Sequence, residues 1–170
     1  MSRTTVRRAA AALLGAAGAI ALQVPAHAAA VSAPYTCTDV LGTQSVTIQA
    51  TLTATPNPAA AGSSVAFALH VSSLGLTSPL TINSWTGSAT LVVSGAQSAT
   101  FQVSGSGGSI AANQTITANM SGTWTPTATG TDQVSGGNVN ITANVALLGN
   151  VTVACTPVAP APVGETLTVS

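Results

Sequence analysis

Apolar and polar residues alternate over long stretches of this chain, and this period of two limits its fold more than any other feature. In Gln44–Ala54, for example, Val46, Ile48, Ala50 and Leu52 fall on one face, and threonine or glutamine fills the positions between them. Alternation of this kind, with many β-branched residues, is typical of strands that bury one face. The pattern therefore predicts an all-β domain.

Further strands are predicted wherever the alternation returns. Turn-forming residues separate them: Gly149-Asn150 predicts a tight hairpin, and Ser104–Ser109, Gly130 and Ser135–Gly137 predict loops or turns. The predicted fold is an immunoglobulin-like sandwich or a Greek-key barrel of about 7–9 strands. The other candidate strands are Ser63–Ser72, Ile82–Trp85, Ala89–Val93, Ala99–Val103, Thr115–Met120, Gly122–Ala128, Asn138–Leu148 and Val151–Cys155.

The N-terminal segment has the three parts of a helical secretory signal peptide. Three arginines precede residue 9, Ala9–Leu22 carries no polar side chain, and Ala26-His27-Ala28 is a small-residue cleavage site. Cleavage after Ala30 is an alternative. The apolar run is shorter than the ~20 residues that span a membrane, and no later run approaches that length. We therefore expect a secreted protein without a membrane span.

This gives three parts to the chain. Residues 1–28 are the predicted signal peptide, and residues 29–156 are the predicted β-sandwich domain. Residues 157–170 begin with a linker rich in proline and alanine. They end in either an edge strand or a loose tail.

The mature chain would contain neither lysine nor arginine, because all three basic residues lie in the predicted signal peptide. Its remaining charged side chains are Asp39, Asp132 and Glu165, and its one histidine is His70. Affinity for nucleic acids comes mostly from basic side chains that displace phosphate counterions. The composition therefore excludes nucleic acid as a partner.

The chain contains two cysteines, Cys37 and Cys155. An even number of cysteines in an exported protein predicts a disulfide, and two residues allow one intramolecular pairing. In the chain-entropy model, so long a loop contributes at most about 5 kcal/mol to stability. Two cysteines and one histidine are too few for a structural zinc site, so we expect no metal.

The sequence shows no pattern of residues that indicates catalysis. His70 alternates with apolar residues of a predicted strand, and nothing in the sequence places Asp39, Asp132 and Glu165 together. A G-x-S-x-G motif is absent from the sequence. We therefore expect neither enzymatic activity nor a cofactor. The aromatic residues Trp85 and Trp124 are the candidate ligand-binding residues, although tryptophans more often anchor a core.

The ends of the domain carry a resemblance to a known family. Tyr35–Thr38, Leu41–Ile48, a turn at Gly62 and Val153–Thr156 are similar to segments of an uncharacterised family of actinobacterial exported β-sandwich domains. The resemblance covers roughly residues 35–156. It implies an exported domain whose ends are joined by one disulfide, and it implies no established activity.

Two functions are consistent with these features. The first is a non-catalytic exported module at or near the bacterial cell surface, which contacts a surface polymer or protein. Its neutral strands could also self-associate through their edges, because charged residues that block edge pairing are rare. The alternative is a carrier that binds a small apolar ligand between the sheets. We expect its cavity to be lined by residues such as Val65, Phe67, Phe101 and Ile141.

Overall fold

The computed structural model describes residues 29–158 and 161–170, and the predicted signal peptide lies outside these residues. The prediction of an all-β domain is confirmed, since every regular element in the described ranges is a strand. The nine strands are β1 (Ala30–Asp39), β2 (Gly42–Thr55), β3 (Val65–Ser73), β4 (Ile82–Gly95), β5 (Ala99–Gly107), β6 (Ala118–Trp124), β7 (Gly130–Val145), β8 (Gly149–Pro157) and β9 (Val163–Val169).

All the strand pairings are antiparallel, and they form a closed circuit. The order is β4-β5-β6-β3-β2-β1-β8-β7, and β7 then pairs again with β4. This last pairing extends from Ile82↔Val145 to Gly95↔Asp132, with two irregularities in register. β8 and β9 pair with successive parts of the same edge of β7. The circuit leaves few strand edges free in the part of the chain described.

Several strands have bounds that differ from those that the alternation indicated. Ile82–Trp85 and Ala89–Val93 are parts of the single strand β4, and Thr115–Met120 and Gly122–Ala128 contribute to β6. β5 continues through Gly107, and β7 includes both Gly130 and Ser135–Gly137. The prediction of a turn at Ser135–Gly137 was therefore wrong, and the predicted loop at Ser104–Ser109 is confirmed only for Gly108 and Ser109. Gly130 is the first residue of β7, directly after a loop, and its φ is positive.

Close packing explains these glycines within strands. A Cβ atom at Gly107 would overlap the indole of Trp85, and one at Gly136 would lie 2.6 Å from the hydroxyl oxygen of Tyr35. Each glycine makes room for a large side chain that packs on its strand. Gly107 and Gly136 therefore mark packing contacts at positions where the sequence suggested a loop or turn.

The interior is built largely from alanine, valine, isoleucine and leucine side chains. Val46, Ile48 and Leu52 are buried on the face of β2 that the alternation predicted. Phe67, Leu91 and Leu167 are the largest fully buried side chains. The buried residues form one continuous cluster that includes members of all nine strands. A single hydrophobic core therefore joins the strands of the circuit.

The C-terminal strand β9 belongs to this core. Leu167 and Val169 are buried, and the backbone of β9 pairs with β7 on one side. On its other side, Ala59 pairs with Val169 in a parallel bridge. The side chain of Asn57 donates to the Thr166 carbonyl oxygen at 2.8 Å and accepts from the Thr168 amide at 3.1 Å. Of the two alternatives for this end of the chain, the structure has the strand.

The predicted disulfide joins Cys37 and Cys155, which lie directly opposite each other on β1 and β8. Both cysteines are almost completely buried, and the bond spans a sequence separation of 118 residues. It links the first strand to the eighth at a place where only four residue pairs join the two backbones. The bond therefore strengthens a short section of the circuit.

The weakest backbone pairing in the circuit is between β5 and β6, where Ser104↔Ser121 is the single paired position. The two strands approach closely on either side of it because both carry glycine. A Cβ atom at Gly105 would overlap the carbonyl oxygen of Asn119, and one at Gly122 would overlap that of Gln102. Close backbone approach here depends on the absence of two side chains.

We predict that Gly122→Ala lowers the free energy of unfolding by about 1–3 kcal/mol, because the new methyl group forces β5 and β6 apart. Urea denaturation measures the change. The matched control is Gly108→Ala, since nothing lies within 4 Å of its Cβ position. A loss of stability in the control as large as that at Gly122 would contradict the explanation.

We also predict that replacing both cysteines by alanine lowers the free energy of unfolding by up to about 5 kcal/mol, because the unfolded chain loses its cross-link. Chemical denaturation with and without a reducing agent provides the measurement. The reduced wild-type protein keeps both side chains and therefore separates the effect of the cross-link from that of packing. Equal stability of the oxidised and reduced proteins would refute the prediction.

Candidate functional site

An apolar cavity of about 290 Å³ lies at one end of the strand circuit. It lies near the β1–β2 and β7–β8 hairpins, next to the loops that follow β3 and β5. Apolar side chains dominate its lining: Val40, Leu41, Leu74, Leu76, Pro79, Leu80, Ile82, Trp85, Ile110, Ile116, Ala118, Ile141, Ala143, Val145, Leu148, Val151 and Val153.

Backbone hydrogen bonds hold the two loops over this end of the molecule. The amide of Leu74 donates to the Ile116 carbonyl oxygen at 3.0 Å, and Ile82 and Ile110 exchange two hydrogen bonds of 2.9 Å. Asn113 donates to the Ser78 carbonyl oxygen at 2.7 Å. The loops therefore form a fastened cover, and their large aliphatic side chains line the cavity.

Five polar residues complete the lining: Asp39, Gln44, Thr77, Ser78 and Thr117. Asp39 has the one charged side chain among them, and its Oδ1 accepts a 2.7 Å hydrogen bond from the amide of Leu41. No basic side chain is present to bind a carboxylate or a phosphate. The arrangement favours a neutral, apolar guest, oriented by few polar groups.

The two candidate tryptophans lie in different surroundings. Trp85 is buried, packs over Gly107 and lines the cavity. Trp124 is half-buried and stacks on Phe101, with 5.7 Å between the ring centroids, and it does not line the cavity. A ligand in the cavity could therefore contact Trp85 but not Trp124. Whether either residue binds a ligand stays a prediction.

The position of the cavity also differs from the predicted one. Of the four residues expected to line it, only Ile141 does so. Val65 and Phe67 are fully buried elsewhere, and Phe67 packs against Phe101 with 4.7 Å between the ring centroids. These aromatic and valine side chains fill the interior, so the free volume lies at the end of the circuit.

A smaller cavity of about 60 Å³ adjoins the larger one and shares Leu74, Ala118 and Ile141 with it. Tyr35 lines it and donates its hydroxyl to the Gly137 carbonyl oxygen at 3.2 Å. Burial raises the pKa of the Tyr35 phenol above its ordinary value of 10.0. The neutral phenol is thus part of a largely apolar interior.

The histidine and the acids that could take part in catalysis lie apart, each with its own hydrogen-bond partner. His70 Nδ1 is 2.7 Å from Asn119 Oδ1 on the exposed face of β3 and β6. Asp132 is fully buried and accepts two hydrogen bonds from Gln97, one from its amide at 3.0 Å and one from its side chain at 2.9 Å. Glu165 accepts from Asn57 at 3.3 Å. The contact to Gln97 holds the β4–β5 turn against β7.

Comparisons of the chain with models of protein families and with curated proteins find no match. Within residues 29–158 and 161–170, no three His, Cys, Asp or Glu side chains group so that they could hold a metal ion. In the same ranges, no helix has the length and apolar character to cross a membrane. The evidence about function therefore comes from the cavity and its surroundings.

Alternation along the sequence does not reveal most of the residues that line the cavity. Leu74, Leu76, Leu80 and Ile110 lie in segments between strands, where no periodic pattern assigns them a buried face. Their one signal in the sequence is that large aliphatic residues concentrate between predicted strands, where polar turn residues are usual. Such a concentration indicates that loops cover an apolar volume.

The pKa of Tyr35 leads to a testable dependence of stability on pH. The unfolded chain loses the phenolic proton near pH 10, whereas the folded protein keeps it to higher pH because ionisation would place a charge in the core. The free energy of unfolding should therefore fall as the pH rises above about 10, and level off above the raised pKa. In Tyr35→Phe, the free energy of unfolding should lack this fall above pH 10. At neutral pH it should be lower than that of the wild type by about 1 kcal/mol, because the hydrogen bond is lost.

Absorbance of the phenolate gives an independent check, because Tyr35 is the only tyrosine and the chain has no lysine to titrate nearby. Urea denaturation at a series of pH values supplies the stabilities. Ionisation of the folded protein at the ordinary pKa would show that the phenol is not protected.

Proposed function

We propose that this protein is an exported, non-catalytic carrier that binds a small apolar molecule. The observation that supports the proposal is the cavity of about 290 Å³, whose lining consists mainly of aliphatic side chains and Trp85, with five polar residues among them. Ligand cavities commonly measure about 300–1000 Å³, so its volume suits a small molecule. The main source of affinity would be the transfer of the ligand's apolar surface from water into the apolar cavity.

The structural support for a non-catalytic role is the separation of the titratable groups. Asp39, Asp132, Glu165 and His70 each have local hydrogen-bond partners on different elements. Acid–base catalysis needs such groups to converge on one substrate atom. Asp39 is the one of the four that borders the cavity.

The first function predicted from the sequence, a module that contacts a cell-surface polymer or protein, stays a prediction. Its supposed route to self-association was pairing between exposed strand edges. The pairing of β4 with β7, and of β9 with both β7 and Ala59, occupies edges that this route would need. The carrier is therefore the function that we prefer.

Export and the finer fold description also belong to this proposal. A buried disulfide is compatible with a protein outside the cell, where thiols oxidise. We also propose that the strand circuit is flattened into two packed layers, as in a sandwich. β9 pairs with β7 in one layer and packs against β2 in the other, and this contact supports the arrangement. Membership of the actinobacterial exported family is a proposal that rests on the resemblance alone.

A pocket-filling variant tests the carrier function. Ala143 is buried on β7 and lines the cavity, so Ala143→Phe should occupy the volume that a ligand needs. The matched control is Ala154→Phe, since Ala154 lies on the exposed face of β8. We expect the neutral fluorescent probe N-phenyl-1-naphthylamine to bind the wild type and the control, and to bind Ala143→Phe at least about tenfold more weakly.

Native mass spectrometry of the protein secreted by its own host is the companion measurement. An added mass that disappears on denaturation would support the carrier and give the mass of its ligand. Circular dichroism establishes that the variants are folded. The proposed function would be refuted if the wild type bound neither the probe nor a native ligand. It would also be refuted if Ala143→Phe bound the probe as tightly as the wild type.

A further inference from the structure

Two hairpin turns beside the cavity expose large apolar side chains. Val40 and Leu41 on the β1–β2 turn are 75% and 88% exposed, and Leu147 and Leu148 on the β7–β8 turn are 95% and 61% exposed. These are the four most exposed large hydrophobic residues in the described part of the chain. We call these four residues the apolar tips.

The apolar tips lie at the mouth of the cavity. β1 and β8 run antiparallel with Cys37 opposite Cys155, so the turn after β1 and the turn before β8 lie at the same end of the molecule. Val40, Leu41 and Leu148 also contribute to the cavity lining. An apolar surface therefore continues from the interior of the cavity to the outside of the protein.

Fold stability does not explain the leucine at position 147. Its φ of 69° lies in the left-handed region, which favours glycine or asparagine and disfavours leucine. The side chain is almost fully exposed, so packing does not offset this cost. Asn113 is the one other non-glycine residue with positive φ in the described ranges. A leucine in this place gains free energy only if something outside the protein covers it.

We propose that the apolar tips insert into the surface of a neutral lipid bilayer, from which the cavity takes up its apolar ligand. This inference rests on the proposed function, because a ligand of low solubility in water is available mainly in a lipid phase. The two turns offer four exposed apolar residues, whereas a standard protein interface involves about 20–30 residues per partner. A fluid lipid surface needs no complementary shape.

The charge of the protein determines which lipids suit this contact. The described residues include no lysine or arginine, and Asp39 lies at the base of one tip. Anionic headgroups therefore find no basic partner, and the acid opposes their approach. Binding should depend on burial of the leucines, with no gain from anionic lipid and little dependence on salt.

Leu147→Asn tests the contact without altering the cavity lining. Asparagine tolerates the left-handed conformation, so the variant should be at least as stable as the wild type. In co-sedimentation with phosphatidylcholine vesicles, we expect the wild type to bind and the variant to partition about tenfold more weakly. Added phosphatidylglycerol should not strengthen binding. Val158→Asn, at an exposed apolar residue away from the mouth, is the control.

The outcomes separate this inference from the proposed function. Ala143→Phe should lose the probe but still bind vesicles, whereas Leu147→Asn should bind the probe normally and lose the vesicles. Failure of the wild type to bind phosphatidylcholine vesicles would overturn the lipid contact even if the probe binds. Equal partitioning of Leu147→Asn and wild type would also overturn it. So would a dimer in native mass spectrometry that Leu147→Asn abolishes, because a second copy would then cover the tips.

Discussion

The pairing of β4 with β7 is the interaction on which the rest of the structure depends. It joins residues from Ile82 to Gly95 with residues from Asp132 to Val145 and closes the order of strands on itself. The acids of the described chain are Asp39, Asp132 and Glu165, and these residues include no lysine or arginine to form ion pairs with them. Backbone hydrogen bonds and the burial of small apolar side chains therefore stabilise the fold, without ion pairs.

Closure has consequences for both the glycines and the core. The backbones of β5 and β6 approach each other closely, and the approach depends on the missing side chains of Gly105 and Gly122. Elsewhere, glycine admits a large neighbour, as at Gly136 beside Tyr35. The small side chains that permit this geometry also limit how completely the interior is filled. Free volume remains where loops replace strands, at the end that holds the cavity.

The proposed carrier and the proposed lipid contact both follow from this distribution of apolar surface. The disulfide lies next to the mouth, since Val153 lines the cavity and Cys155 is two residues further along β8. The disulfide fixes β1 to β8. One hairpin turn with exposed leucine follows β1, and the other precedes β8. The mouth is thus anchored covalently beneath its apolar tips, while the loops opposite are held by backbone hydrogen bonds.

Local sequence determined the elements of this protein but not their connections. Period-two alternation identified the strand class and the buried face of β2, and the number of cysteines identified the disulfide. Both depend on neighbours along the chain or on composition. The strand order, the extent of β4 and β7, and the inclusion of β9 depend on pairing between distant residues, which no local period encodes.

The cavity shows the same division. The sequence predicted a pocket lined by Val65, Phe67, Phe101 and Ile141, and of these only Ile141 lines the cavity. Phe67 and Phe101 pack together, and the space opens where the non-periodic leucines and isoleucines of two loops meet the hairpins. Sequence by itself determined which residues are apolar and which segments form strands. Tertiary structure decided where volume stays unfilled, because a void is set by the distances between elements that only folding brings together.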